Sequence, residues 1–323
     1  MPTRRAHSPA RATAPRGATV ANIWRYAVKG LDRDEMPAVE LVAGSGLPND
    51  RAWALLMSSA DTQFNPATPV WLHKSNFMCA FNANDVLGEF ETSYEDKMDV
   101  LKVWRRSTGQ RRPLLTSRLT DPLGCARVEA FFTKLHGSPV QLVCGLGPHK
   151  GFHFGNTAKG FKHDPSGSVI HIVNAATIAS LSAAVGEPLE ASRFRPNIVL
   201  QDVPAWEEFD WVGGTITLGD ATLEVLHRTV RCAATHEDPR SGSGAPTLDI
   251  PGLLSKHFPQ HGPYLGVYAR VVSGGSVRVG DAVTSVRANG PPTPTGRDRH
   301  LIIFSVTVCI LLAVLAWLIR DFQ

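Results

Sequence analysis

Thr215-Ile216-Thr217-Leu218-Gly219-Asp220-Ala221-Thr222-Leu223-Glu224-Val225 is the stretch whose reading decides the fold. Ile216 and Leu218 alternate with threonines, Gly219-Asp220 supplies a tight turn, and Leu223 and Val225 resume the alternation. A period of two turns one face of each segment inward, and a two-residue turn containing glycine joins antiparallel neighbours. The stretch therefore predicts a β-hairpin.

The same pattern recurs on either side. Val267, Ala269 and Val271, then Gly274-Gly275, then Val277 and Val279 predict a second hairpin, and Gly280-Asp281 starts a further turn. Towards the N-terminus, short strands are expected near Val20 to Tyr26, Val39 to Val42 and Ala52 to Met57. Helices are fewer. Asn174 can cap one running through Ile178, Leu181 and Val185, with Gly186 ending it and Pro188 beyond. Val128, Phe131, Phe132 and Leu135 share one face of another. Short strands with interspersed helices favour a mostly β, barrel-like fold over a doubly wound sheet. No GxGxxG follows a strand and no phosphate-binding P-loop is present, so nucleotide chemistry has no support.

The chain has 323 residues and is 43% hydrophobic, enough for one large domain or two modest ones. A formal net charge of +4 is mild and argues against a dedicated nucleic-acid binder. Five cysteines (Cys79, Cys125, Cys144, Cys232 and Cys309) form no CxxC pair, which disfavours a disulfide scaffold or a four-cysteine zinc site. The two ends differ from the middle. Residues 1–18 hold Arg4, Arg5, Arg11 and Arg16 with no acidic residue, and read as a disordered basic arm or an organellar transit peptide. Leu301 to Ile319 is apolar apart from Ser305 and Thr307. As a helix it would reach about 28 Å, close to the hydrocarbon thickness of a bilayer. A single C-terminal transmembrane helix over 301–319 is expected, a tail anchor joined through a proline-bearing linker at 287–300. Arg297 and Arg299 before it would keep the globular part facing the cytosol.

The densest polar cluster is Arg231-Cys232-Ala233-Ala234-Thr235-His236-Glu237-Asp238-Pro239, just after a strand ending near Val230. A cysteine entering a loop from a strand can face a cleft, and Arg231 and Arg228 would favour the thiolate that binds a soft metal. The same residues also fit a structural thiol, a nucleophile with His236 as its base, or half of a zinc site lacking two ligands. In Arg193-Phe194-Arg195-Pro196-Asn197, alternation would send both arginines to one face of an extended segment, either around a phosphate or into surface ion pairs. Lys29 and Arg51 add cations, and Ser168 and Asn174 precede a helix start where anions can sit.

Taken in order, these pieces resemble one family. Tyr26-Ala27-Val28-Lys29-Gly30 and Gly46-Leu47-Pro48-Asn49-Asp50-Arg51-Ala52-Trp53 come first. Arg193-Phe194-Arg195-Pro196-Asn197 and Ala205-Trp206-Glu207-Glu208-Phe209 follow, then Arg231-Cys232-Ala233-Ala234-Thr235 through Asp238-Pro239. Leu265-Gly266-Val267-Tyr268 and Val279-Gly280-Asp281 close the series. The set resembles the MOSC family preceded by its N-terminal β-barrel domain, the group that holds the animal mitochondrial amidoxime-reducing components and bacterial relatives. The resemblance implies a smaller β-barrel-like domain over 19–110 and a β-barrel MOSC domain over 120–286. It also implies a molybdenum–molybdopterin cofactor, with Cys232 supplying sulfur to the metal. By position, Lys29, Arg51 and Arg195 would hold the cofactor, with Ser168, Arg231 and Tyr268 as further contacts. Asp238 would orient substrate or relay a proton. Such proteins reduce N-hydroxylated compounds with electrons from a separate protein, such as a membrane-associated b-type cytochrome and its reductase. The alternative within the family is a cofactor or sulfur carrier using a Cys232 persulfide. The pyridoxal phosphate associated with sulfurase relatives has no matching domain here. Gly30 departs from the serine of the animal enzymes.

Overall fold

The computed structural model describes residues 17–58, 63–106, 112–147, 152–155, 168–240 and 247–286. The first half of the described chain supplies β1 (Thr19–Arg25), β2 (Val28–Lys29), β3 (Asp34–Met36), β4 (Ala38–Leu41) and β5 (Trp53–Met57). Helix α1 (Ala80–Leu87), β6 (Phe90–Glu95), β7 (Val100–Arg105), β8 (Leu115–Arg118), α2 (Pro122–His136) and β9 (Val140–Cys144) follow. The second half holds β10 (Ile170–Asn174), α3 (Ala175–Val185), β11 (Ile198–Gln201), β12 (Thr215–Leu218) and β13 (Ala221–Val230). It ends with α4 (Ile250–His257), β14 (Tyr264–Ser273), β15 (Gly275–Arg278) and β16 (Val283–Val286).

The predicted hairpin is β12 and β13, with Leu218 opposite Ala221 across the Gly219-Asp220 turn. It belongs to an eight-stranded sheet in the order β16-β12-β13-β14-β10-β11-β1-β3. The pairings are antiparallel except β10 with β11, which are parallel and joined through α3. A parallel neighbour needs such a crossover. Asn174 is buried at the end of β10 and caps α3 by accepting from Ala176 N, and Gly186 closes the helix in a left-handed conformation. The sheet curls until its far strands meet. Val20 N donates to Asp281 O at 2.9 Å, Gly280 N to Val20 O at 2.8 Å, and Val283 N to Ala18 O at 2.9 Å. Inward alternation then fills the curl with Val20, Ile23, Ile172, Leu223, Val225 and Val267. The mostly β architecture with few helices follows from that closure.

A second core forms beside β2, β5 and β9 in one three-stranded sheet and β6, β7 and β8 in another. Helix α2 covers it. Asp121 accepts from Gly124 N at its start, Gly137 ends it, and Val128 and Phe132 are buried among Leu55, Phe90 and Val103. Phe131 and Leu135 pack at its margin.

Two expectations are corrected. β14 and β15 are not hairpin partners: β15 pairs with β4, from Gly275 opposite Leu41 to Arg278 opposite Ala38. A Cβ at Gly274 would lie 2.5 Å from the Leu41 carbonyl oxygen, so the Gly274-Gly275 pair marks a close backbone approach to another strand. The C-terminal transmembrane helix is also withdrawn. Among the described residues no helix is long and apolar enough to cross a membrane. The longest, α2, has 15 residues and carries Arg127, Glu129 and Lys134. Residues 301–319 lie outside the described residues, as do 287–300. An apolar run of spanning length sets only what a helix could reach, not that one crosses. The membrane localisation with a cytosol-facing globular part rested on that run and falls with it.

Candidate functional site

The end of β2, the start of β5, the turn before β11, the loop after β13 and the middle of β14 converge on one cavity of about 360 Å³. Lys29, Arg51, Arg195, Arg231, Cys232 and Tyr268 all line it, although they are spread across most of the described chain. Ser168 and Asp238 are not among the lining residues. Ser168 packs against the loop at Gly46, where an added Cβ would lie 3.1 Å from its own. Asp238 faces Arg193, with Oδ2 3.8 Å from Nη2.

The cations of the wall are held from behind by backbone oxygens and one carboxylate. Lys29 is buried, and its Nζ donates to Phe154 O at 2.8 Å. Burial lowers its pKa to about 8, with Arg51, Arg195 and Lys74 pushing the same way against Cys79. Arg51 pairs with buried Asp50 and donates from Nη2 to Arg195 O at 3.0 Å. Asp50 is locked in turn, accepting from Tyr26 N at 2.8 Å and facing His153 Nε2 at 3.2 Å. Arg231 donates from Nη2 to Phe194 O at 3.0 Å. Its Nη1 lies 3.3 Å from Nε2 of His171, whose Nδ1 lies 3.4 Å from Arg195 O. Burial, then Arg231, drives His171 well below the usual histidine range, so the ring is neutral. The tautomer that donates from Nδ1 to the carbonyl and accepts at Nε2 satisfies both contacts.

Arg195 is different. It sits in the left-handed region (φ 50°), with its guanidinium 4.1 Å above the Tyr26 ring, while Arg51 lies 4.8 Å from the same ring. Its Nη2 is buried without a hydrogen-bond partner, and so are the Tyr26 hydroxyl and Arg231 Nε. Burial lowers the Arg195 pKa, with Arg51 adding to the effect. Among the described residues no Asp or Glu lines the cavity. Apart from Asp50 behind Arg51, these cations gather without a carboxylate partner, a cost in electrostatic energy that an anionic ligand would offset. Buried N–H groups without acceptors point the same way.

Cys232 leaves β13 in an extended conformation and begins the short turn Ala233–Thr235. Lys74 Nζ lies 3.5 Å from its Sγ. Arg228, expected at the thiol, lies instead over the Phe209 ring at 4.4 Å. Cys79 lines the same cavity, with Sγ 3.6 Å from Lys74 O. Gly30 has φ +90°, and an added Cβ would lie 2.4 Å from Met78 O, so local packing requires the glycine that stands there. Among the described residues no group of three or more His, Cys, Asp or Glu side chains could hold a metal ion. A metal at Cys232 would have to bring ligands of its own.

Sequence reading missed Lys74, Cys79 and His171 as parts of this wall. Lys74 lies in Trp71-Leu72-His73-Lys74, which has no motif. His171 did carry a signal, as the lone charged-capable residue inside the apolar run Val169-Ile170-His171-Ile172-Val173. The predicted common face for Arg193 and Arg195 is corrected. Residues Ala191–Phe194 form a 3-10 turn rather than an extended segment, so Arg193 turns away from the cavity that Arg195 lines.

Fold and site together define a curled β-sheet protein with a thiol-bearing cavity that suits an anionic ligand. Residues 135–284 match the sequence model of the MOSC domain, the family that the ordered motifs resemble. It is 31% identical over 127 residues to the mitochondrial amidoxime reducing component 2 of Rattus norvegicus, a match covering 37% of each chain. It is 27% identical over 120 residues to the mitochondrial amidoxime-reducing component 1 of Homo sapiens, covering 35% of each. The matched region thus spans little more than a third of these relatives' length. Among solved structures, the YuaD protein of Bacillus subtilis aligns over 84% of this chain and 97% of its own, at 13% identity and a TM-score of 0.40.

Proposed function

We propose that this protein binds a molybdenum–molybdopterin cofactor and is an oxidoreductase that reduces N-hydroxylated or other N–O compounds. The observation that carries the reading is the cavity. It gathers Lys29, Arg51, Lys74, Arg195 and Arg231 around Cys232, with unpartnered buried N–H groups and no lining carboxylate among the described residues. Such a wall fits a bulky, multiply charged ligand better than a bare ion. The amidoxime-reducing relatives support the choice of substrate class.

In this reading Lys29, Arg51 and Arg195 hold the anionic part of the cofactor, and Arg231 and Tyr268 border it. Cys232 supplies a sulfur ligand to the metal, and Lys74 sets a positive charge beside that sulfur. The cofactor, when bound, supplies two-electron cycling and oxygen-atom transfer. Lys29 stays cationic below about pH 8, and neutral His171 keeps Arg231 aimed without adding charge. Asp238, tied to Arg193, has no part in the chemistry proposed here. Reduction of an N–OH group consumes two electrons and two protons and releases water. The electrons come from a separate redox protein. Pyridoxal phosphate has no role in this reading.

The test uses the full chain from a host that makes the cofactor, a reduced viologen dye as donor, and an aromatic amidoxime as acceptor. The wild type should form the amidine. Cys232→Ala should lose the rate by roughly 100-fold or more, beyond what removing outer-shell partners of a metal ligand costs. A Cys232→Ala protein free of metal and still fully active would overturn the reading.

A further inference from the structure

Arg193 is a buried cation that the proposed chemistry does not use. Its guanidinium reaches the loop that carries Cys232. Nη1 donates to His236 O at 2.9 Å and to Thr235 O at 3.2 Å, and Nη2 lies 3.8 Å from Asp238 Oδ2. Thr235 is itself buried and ties back to the cysteine. Its N–H and its hydroxyl both donate to Cys232 O at 2.9 Å. On the other side of the cysteine, Arg231 donates to Phe194 O at 3.0 Å. The loop is thus pinned before and after Cys232 to the same short segment, residues 193–194. A third tie comes from α1, where Asn84 Nδ2 donates to Asp238 O at 3.1 Å.

We propose that Arg193 is a positioning residue that, with Thr235, clamps the loop so that the Cys232 sulfur faces the cavity. Two carbonyl acceptors on one guanidinium nitrogen fix both the height and the direction of a turn that has only three residues to stabilise it. Cavity-lining geometry does not survive a loose loop, because a ligand sulfur must be held to within a fraction of an ångström. The functional meaning of the clamp rests on the reading of Cys232 as the metal-facing thiol, but the clamp itself does not.

The experiment therefore uses cofactor-free full-length protein and site-resolved labelling by N-ethylmaleimide, read by mass spectrometry at one fixed pH. Cys125 and Cys144, in α2 and β9, serve as internal references. Arg193→Met should raise Cys232 labelling roughly tenfold, the scale of losing charged hydrogen bonds that close a loop, and leave both references unchanged. Arg193→Lys, which keeps a cationic donor at the position, should bring Cys232 labelling most of the way back to the wild-type rate. Asp238→Asn, which keeps both carbonyl bonds, should label at nearly the wild-type rate. Unchanged Cys232 labelling in Arg193→Met, or a rise shared equally by Cys125 and Cys144, would overturn the clamp. Should Arg193→Met fail to fold, Thr235→Val carries the test, with a selective several-fold rise expected at Cys232 and no rise overturning it. Metal content of Cys232→Ala decides the functional reading separately.

Discussion

Two arginines on neighbouring walls of this protein show what separates a structural charge from one kept for a ligand. Arg25, in β1, is buried, and its Nη atoms are taken by Asp34, Asp96 and the Tyr94 carbonyl oxygen. Arg195, half-buried at the cavity, also lies over a tyrosine ring and also keeps one buried nitrogen without an acceptor, as Arg25 does, but among the described residues it meets no carboxylate. The first charge is neutralised by the fold. The second, in the proposed reading, is left for the anionic ligand. Stability and binding should therefore respond oppositely to losing them.

Removing Arg25 gives the largest expected effect. Arg25→Met strands Asp34 beside an apolar side chain, while the half-exposed Asp96 can turn to water and to Asn49, and denaturant unfolding should show a loss of about 3 kcal/mol, the low end of breaking a buried pair from one side. A third buried group, Glu208, sharpens the comparison. Its Oε2 accepts from Asn174 Nδ2 and Thr177 Oγ1, both at 3.0 Å, and Oε1 has no partner among the described residues. Burial raises its pKa to about 7. A carboxyl whose folded pKa lies above its unfolded value stabilises the fold at low pH and loses that contribution as pH rises through the folded value. Between pH 5 and pH 8 the wild type should lose up to about 3 kcal/mol through this group. Glu208→Gln should flatten that slope in paired denaturant curves. An unchanged slope would show that Glu208 does not titrate there. Arg195→Met should give the smallest stability change. With no carboxylate orphaned, cofactor-free protein should unfold within about 1 kcal/mol of wild type, or slightly later. Its molybdenum content should nevertheless fall. If Arg195→Met destabilises the empty protein as strongly as Arg25→Met, the contrast between the two arginines is lost.

Local signals in the sequence were reliable where the structure is local. Gly219-Asp220 closed its hairpin, Asn174 and Gly186 bounded their helix, and Cys232 did follow the strand ending at Val230. Non-local pairings were not legible. Gly274-Gly275 looks the same in sequence whether it makes a tight turn or passes close to β4, and only the Leu41 carbonyl oxygen shows which. Side-chain direction failed wherever the backbone left a regular period. Arg193 and Arg195 part because a 3-10 turn and a left-handed residue replace the expected strand. The cavity's separated cations were found through their ordered motifs rather than through spacing. Lys74 had no motif to announce it, and reaches Cys232 only because the fold brings its short turn to the cavity wall.

The central claim is that this cavity exists to hold an anionic metal complex against Cys232. Metal analysis of the full chain, purified from a host that makes the cofactor, tests it most directly. The account predicts roughly one molybdenum per wild-type chain and little in Cys232→Ala or Arg195→Met. Wild-type protein that folds, from a host whose own molybdenum enzymes are loaded, and that nonetheless carries none would contradict it.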